Sequence, residues 1–157
     1  MAGETKKSIR NLVKGPNPSP FATFAASLLS NDWDTVEARL ANNIEWNMMP
    51  NNQIRKGKKD VMKFLKASYY AAKRMPKLIH DQASKDWGCF EYYNIGTTDK
   101  NIIEFAKQSK WPFPDPSKLV GRKYKVPVCF VWHINSKGKI DLVREYLDVG
   151  SVIAQFK

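Results

Sequence analysis

The hydrophobic pattern changes period near Leu78, and that change constrains the fold more than any other feature of the chain. Before it, apolar residues recur at three- and four-residue spacing; after it, they alternate. The helical half opens at Ser19-Pro20, where serine suits the N-cap and proline the first turn. Phe21, Phe24, Ala25, Leu28 and Leu29 then form one stripe, ended by Asn31-Asp32. A shorter helix follows, with Asp34 and Glu37 at capping-box spacing and Trp33, Val36 and Leu40 on its buried side. Asn42-Asn43 reads as a turn, and Ile44 to Met49 as a strand stopped by Pro50. Gln53 to Lys59 is a basic turn around Gly57. A third helix is predicted from about Lys58 to Met75, with Val61, Leu65, Tyr69 and Ala72 inward and Pro76 at its end.

The second half reads as strands at Leu78 to Gln82, Trp87 to Thr97, Arg122 to Asn135 and Lys139 to Leu147. Ser136-Lys137-Gly138 is a hairpin signal between the last two. Between strands, 99–118 holds a helix candidate, Asn101 to Ser109. The run Trp111-Pro112-Phe113-Pro114-Asp115-Pro116 follows, and its prolines forbid a central strand. A short helix, Val149 to Phe156, closes the chain. This order gives an α+β fold: a strongly curved, mostly antiparallel sheet wrapped around N-terminal helices, a cone with room for a pocket. It is one domain, 17–157, with an insertion at about 99–118. A basic lead-in, 1–16, precedes it and reads as a short helix or a frayed tail.

A chain of 157 residues buries roughly 70% of its unfolded surface, enough to fold without staples. Lysine and arginine number 26 against 15 acids, a net charge of +11. That excludes an acidic disordered chain and raises the question of a nucleic acid, an anionic membrane or an acidic ligand. The basic residues are scattered: Lys6-Lys7 with Arg10 and Lys14, Arg55-Lys56-Lys58-Lys59, Lys73-Arg74-Lys77, and Arg122-Lys123-Lys125. No zinc finger, RNA-recognition signature or dinucleotide fingerprint accompanies them, so solvated surface is the default and nucleic acid is disfavoured. Attraction for an anionic ligand is the open alternative. No apolar run reaches the roughly 18 residues of a membrane span, and the lead-in lacks the apolar core of a secretory signal. Cys89 and Cys129 read as buried reduced thiols, which suits the cytoplasm. His80 and His133 are too distant to build a metal set with them, so neither a metal nor a cofactor is expected.

Three segments resemble the nuclear transport factor 2-like superfamily, closest to its limonene-epoxide-hydrolase and SnoaL-like polyketide-cyclase branches. Leu28 to Asp34 is similar to its helix–turn–helix opening. Ile44 to Pro50 with Arg55 to Val61 resembles its first strand, glycine turn and long helix. Gly121 to Tyr124 through Gly138-Lys139-Ile140 to Asp148 resembles its two long terminal strands. The resemblance spans about 19–156 and implies the cone fold. It says less of activity, since one fold hosts many functions. The epoxide-hydrolase branch uses an aspartate–arginine–aspartate set with a tyrosine and an asparagine. Its first aspartate falls on Glu145, its tyrosine on Trp46, and its asparagine on Met48, or on Asn47 if the strand bulges. Its arginine and second aspartate fall in the strand around Glu91 to Ile95, with Tyr92 and Asn94 in the favoured register and no arginine in any. The resemblance thus implies the pocket but not an intact epoxide-hydrolase set.

Strand alternation favours Val143, Glu145 and Leu147 facing the cone, placing one carboxylate among Val128, Phe130 and Trp132. Burial there would make Glu145 a general base or acid near neutral pH. In the opposite register Arg144 points inward and Glu145 meets a lysine at the surface. The candidate site is therefore Glu145 as proton-transfer group, with Trp46, Met48, Tyr92, Asn94, Val128, Phe130 and Trp132 lining the pocket. The expected ligand is a hydrophobic small molecule, terpenoid, steroid-like or polyketide-like, handled by cofactor-free isomerisation, cyclisation, dehydration or hydrolysis. A non-catalytic binding or dimerising module of the same fold, or a basic nucleic-acid accessory protein, stays open. Cys129, Val131 and His133 share the outer face of their strand, and a strand apolar on both faces is covered on both. A second copy of the chain is the simplest cover. Phe105, Trp111 and Phe113 are candidates for a lid over the pocket or for a surface elaboration.

Overall fold

A computed structural model describes residues 18–109 and 115–156. The predicted lead-in, and the lid candidates Trp111 and Phe113, lie outside the described residues. Five α-helices and seven strands follow in the order α1 (Pro20–Ser30), α2 (Trp33–Arg39), β1 (Leu40–Met48), β2 (Gln53–Lys56), α3 (Lys58–Tyr70), β3 (Ala72–Arg74), β4 (Lys77–Ser84), β5 (Trp87–Thr98), α4 (Ile102–Ser109), β6 (Lys123–Ile134), β7 (Ile140–Leu147) and α5 (Val149–Gln155). The strands form one sheet in the order β2-β1-β7-β6-β5-β3, with β4 also paired to β5. All pairs are antiparallel except β1 with β7. The sheet is strongly curled, a half-barrel closed by helices.

Local chemistry sets the helix ends. Ser19 Oγ accepts from the Ala22 amide at 3.0 Å, so α1 starts where the sequence placed it. Asn31 ends α1 in the left-handed conformation, φ 57°, a geometry asparagine tolerates. The cap of α2 is Asp32, whose carboxylate accepts from the Thr35 amide at 3.2 Å, rather than the expected Asp34. Asn42-Asn43 is not a turn. Both asparagines lie exposed in β1, inside an irregularity between Leu40 and Glu45 in the pairing with β7. Extra residues there keep Leu40 and Ile44 both buried while the asparagines reach water.

Helix α3 stops at Tyr70, short of the expected Met75. Residues 72–74 instead pair with Gly96–Thr98 of β5, exchanging helical bonds for a sheet ladder. The Arg74 guanidinium completes the break, donating to the Ser68 carbonyl at 2.8 Å. The long strand β5 thus carries two partners on one edge, β3 near its end and β4 near its start.

The closed end of the cone is packed with aromatic rings. Phe21 of α1 lies 5.2 Å from Phe130, 5.6 Å from Phe90 and 5.9 Å from Trp132, stacked on the last. Phe24 reaches Trp46 at 6.4 Å. Trp132 lies across Gly88 on the neighbouring strand, where a Cβ would stand 2.1 Å from its ring. Gly88→Ala should therefore destabilise the protein by about 1–3 kcal/mol, read as a lowered midpoint in urea unfolding. An unchanged midpoint would mean that Trp132 does not lie across the strand.

Candidate functional site

At the open end, the helices and the concave sheet face leave a cavity with about 110 Å³ open to the centre of a water-sized sphere. Its sheet wall comes from residues of one parity on β1, β7, β6 and β5. Glu145 pairs with Phe130 on one side and with Met48 on the other. Tyr92 pairs with Val128, and Asn94 with Val126. Because side chains alternate along a strand, all of these point into the cone. Phe64 and Tyr69 of α3, Phe105 of α4 and Phe156 beyond α5 close it from above.

Among the described residues, Glu145 supplies the one carboxylate that lines the cavity. Its Oε2 accepts from Trp46 Nε1 at 2.9 Å. Burial pushes its pKa above the ordinary carboxylate range, while the indole N–H and the Arg74 charge pull the other way. The net direction is up, because desolvation of the charged form outweighs one neutral donor and one cation. Tyr69 is pushed up to about 12, chiefly by burial. Tyr92 is raised well above its usual value, by burial first and then by the neighbouring Tyr69. Both phenols therefore stay protonated at neutral pH. Tyr124 donates to Asn94 Oδ1 at 3.2 Å. Its hydroxyl lies over Gly96, where a Cβ would stand 2.8 Å from it.

Trp46, Met48, Tyr92, Asn94, Val128, Phe130 and Glu145 line this one cavity. Trp132 does not, and is corrected here. It shares the inward parity but lies deeper, where Phe21 covers it completely. Asn47, the alternative to Met48, has the other parity, and its amide donates to Glu45 at 2.9 Å. Phe105 lines the cavity, 6.1 Å from Phe64. The sequence reading missed Arg74, Tyr69 and Tyr124 as cavity residues. In the sequence Arg74 reads as one of the solvated basic residues, yet its Nε and Nη1 are buried without a hydrogen bond of standard geometry, near the Tyr124 hydroxyl. The missing signal was the end of α3; with Ala72–Arg74 as a strand, alternation turns Ala72 and Arg74 inward together. Among the described residues, no three His, Cys, Asp or Glu side chains gather closely enough to hold a metal ion. His133 lies on the outer face, its Nδ1 2.6 Å from Asp141 Oδ1.

The architecture is the cone-shaped nuclear transport factor 2-like fold. Among solved structures, a protein from Xanthomonas campestris pv. campestris assigned as a polyketide cyclase is 18% identical, covering 99% of this chain and 98% of its own, with a TM-score of 0.63. A limonene-epoxide-hydrolase-like epoxide hydrolase of Mycobacterium tuberculosis is 15% identical over 98% of this chain and 90% of its own, with a TM-score of 0.60. SalBIII, an epoxide hydrolase/cyclase-like enzyme with a role in pyran ring formation in the polyether salinomycin, is 13% identical over 94% and 96%, with a TM-score of 0.62. No protein-family model and no curated protein sequence matches the chain. At these identities the likeness establishes the fold.

The raised pKa of Glu145 makes a prediction about stability. A carboxyl that holds its proton more tightly when folded favours folding fully below its unfolded pKa. That contribution is lost as pH rises through the folded pKa. Glu145→Gln, which keeps an acceptor for Trp46, should therefore melt higher than wild type at pH 7. The gap should close as pH falls below about 4. Equal melting temperatures at pH 7 would show that the carboxylate carries no desolvation cost.

Proposed function

We propose that the cavity takes up an apolar small molecule and that Glu145 moves a proton on it. One observation carries this reading: a single desolvated carboxylate, held by an indole N–H, in a cavity otherwise walled mostly by apolar and aromatic side chains. A carboxyl with a raised pKa can exchange protons nearer neutrality than an exposed one. Protonated Tyr92 stands in the same cavity as a donor for a developing oxyanion, and Asn94 is held by Tyr124 beside it. The reaction class is acid–base chemistry of the isomerase, cyclase, dehydratase or hydrolase type. The fold's occurrence in an epoxide hydrolase and an epoxide hydrolase/cyclase-like enzyme supports that class. The ligand class remains terpenoid, steroid-like or polyketide-like, and monoterpenoids are its smallest members to test.

Among the described residues no second carboxylate lines the cavity, so the resemblance supports the pocket more than the paired-acid chemistry of the epoxide-hydrolase branch. A panel of monoterpenoid epoxides, enones and ketones tests the reading. Wild type should turn over at least one member. Glu145→Gln should bind it with unchanged affinity while kcat falls about 10²–10⁴-fold. Binding without turnover by wild type would leave a ligand-binding module instead.

We also propose that the outer sheet face pairs two copies of the chain. Trp87 and Tyr146 are 43% and 40% exposed there, beside Val131 and the Cys89–Cys129 pair, whose sulfurs are 3.3 Å apart. The described part of the insertion does not cover this face, because Ile102 and Phe105 of α4 turn to the cavity. A cytoplasmic location is supported by the cysteine count, since two cysteines are too few for a disulfide framework. The expected result is a dimer mass by sedimentation at micromolar concentration, converted to monomer by Trp87→Glu with Tyr146→Glu. A monomeric wild type would remove the dimer.

A further inference from the structure

Arg74 is a charge in an unexpected place. It sits on β3 opposite Gly96, and its side chain enters the cavity beneath α3. Nη2 is used locally, donating to the Ser68 carbonyl at 2.8 Å and to the Ser68 hydroxyl at 3.2 Å. Nε and Nη1 are buried and make no hydrogen bond of standard geometry, although the neutral Tyr124 hydroxyl lies close enough to interact with the guanidinium. The guanidinium lies over the Tyr69 ring, 4.3 Å from its centre. Among the described residues no carboxylate stands within ion-pair distance of it.

An arginine does not shed its proton to escape such a site. A buried charge without a counter-ion is costly, and orphaned charged donors more so. The groups that face it do not neutralise it. Tyr69 and Tyr92 hold their protons, and the Tyr124 hydroxyl, which donates to Asn94 and interacts with Arg74, carries no charge to offset the guanidinium. Glu145 makes no ion pair with it, although the two charges act on one another, and one carboxylate oxygen is committed to Trp46. Capping α3 explains Nη2 but not the other two nitrogens.

We infer that Arg74 receives an anionic oxygen of the ligand, so that the cavity is built for a small apolar acid. Its carboxylate would sit at the β3 side and its hydrocarbon body against Phe64, Phe105, Val128 and Phe130. A guanidinium matches a carboxylate with paired donors, a geometry that lysine does not reproduce. The two walls then divide the work. Arg74 holds the head, and Glu145, two strands away, meets the body rather than the head. The net charge of +11 raises the local concentration of such an anion. This inference rests on the proposal that the cavity takes up an apolar small molecule.

A matched pair of probes tests it: 1-naphthoate and neutral 1-naphthalenemethanol, titrated at pH 7 into the full chain and followed by calorimetry and by tryptophan fluorescence. Wild type should bind the acid at least about tenfold more tightly than the alcohol, as a charge-assisted hydrogen bond would give. Arg74→Met should erase that preference, weakening the acid far more than the alcohol. Arg74→Lys should keep part of it, which a purely structural role in capping α3 would not produce. Glu145→Gln should tighten the acid, because a competing negative charge is gone. Far-UV circular dichroism of each variant controls for folding. Equal affinities of wild type for the two probes, or a preference that survives Arg74→Met, would overturn the role of Arg74 while leaving the apolar cavity standing. If neither probe binds wild type, the cavity reading falls and the acid ligand with it.

Discussion

The register of the three central strands decides which chemistry the protein presents. Strands β5, β6 and β7 pair so that Tyr92 stands opposite Val128, Phe90 opposite Phe130, and Phe130 opposite Glu145. Side chains alternate with a period of two, so a slip of one residue in β7 would put Glu145 in water and Arg144 in the cone. Two features hold the register. Trp132 lies across Gly88, its ring in the space a Cβ would need, and the Tyr124 hydroxyl lies over Gly96, a space shared with the Lys73 carbonyl. Phe21 then presses from α1 onto Phe90, Phe130 and Trp132 and closes the narrow end. The cavity exists because that aromatic plug fills one end of the curl and not the other.

Much of this was legible because it follows from parity. The alternation of Val128, Phe130 and Trp132 against Cys129, Val131 and His133 fixed one face of β6, and pairing carried that face to Glu145 and Tyr92. Parity tells which way a side chain points, however, and not how far along the cone it sits. Trp132 was therefore placed in the cavity wall, although Phe21 seals it away. The cavity's cation was hidden for a different reason. Lys73-Arg74-Lys77 looks like the charged end of an amphipathic helix, and only the early stop of α3 at Tyr70 converts those residues to a strand. That stop depends on a ladder with Gly96–Thr98, some twenty residues away, which no local pattern encodes. The irregularity at Asn42-Asn43 is equally non-local, since it answers to the spacing of Leu40 and Ile44 against β7.

Glu145 and Arg74 set the energetics of the cavity between them. Either alone would be a buried charge with little to balance it. Together they are opposite charges held apart by two strands, too far to pair and near enough to feel one another. A direct salt bridge would quench both and leave nothing for a ligand. Separation keeps a proton acceptor on one wall and donors on the other, at a cost in stability that the aromatic end of the cone offsets. On the proposed reading, removing the charge of Glu145 would stabilise the fold and abolish proton transfer, the pattern expected where a site is arranged for chemistry rather than for folding. The same reasoning separates Arg74 from an ordinary helix cap: a cap needs one donor at the Ser68 carbonyl, whereas the two further nitrogens are buried over the Tyr69 ring without a hydrogen bond of standard geometry, donors that an arriving anion would meet.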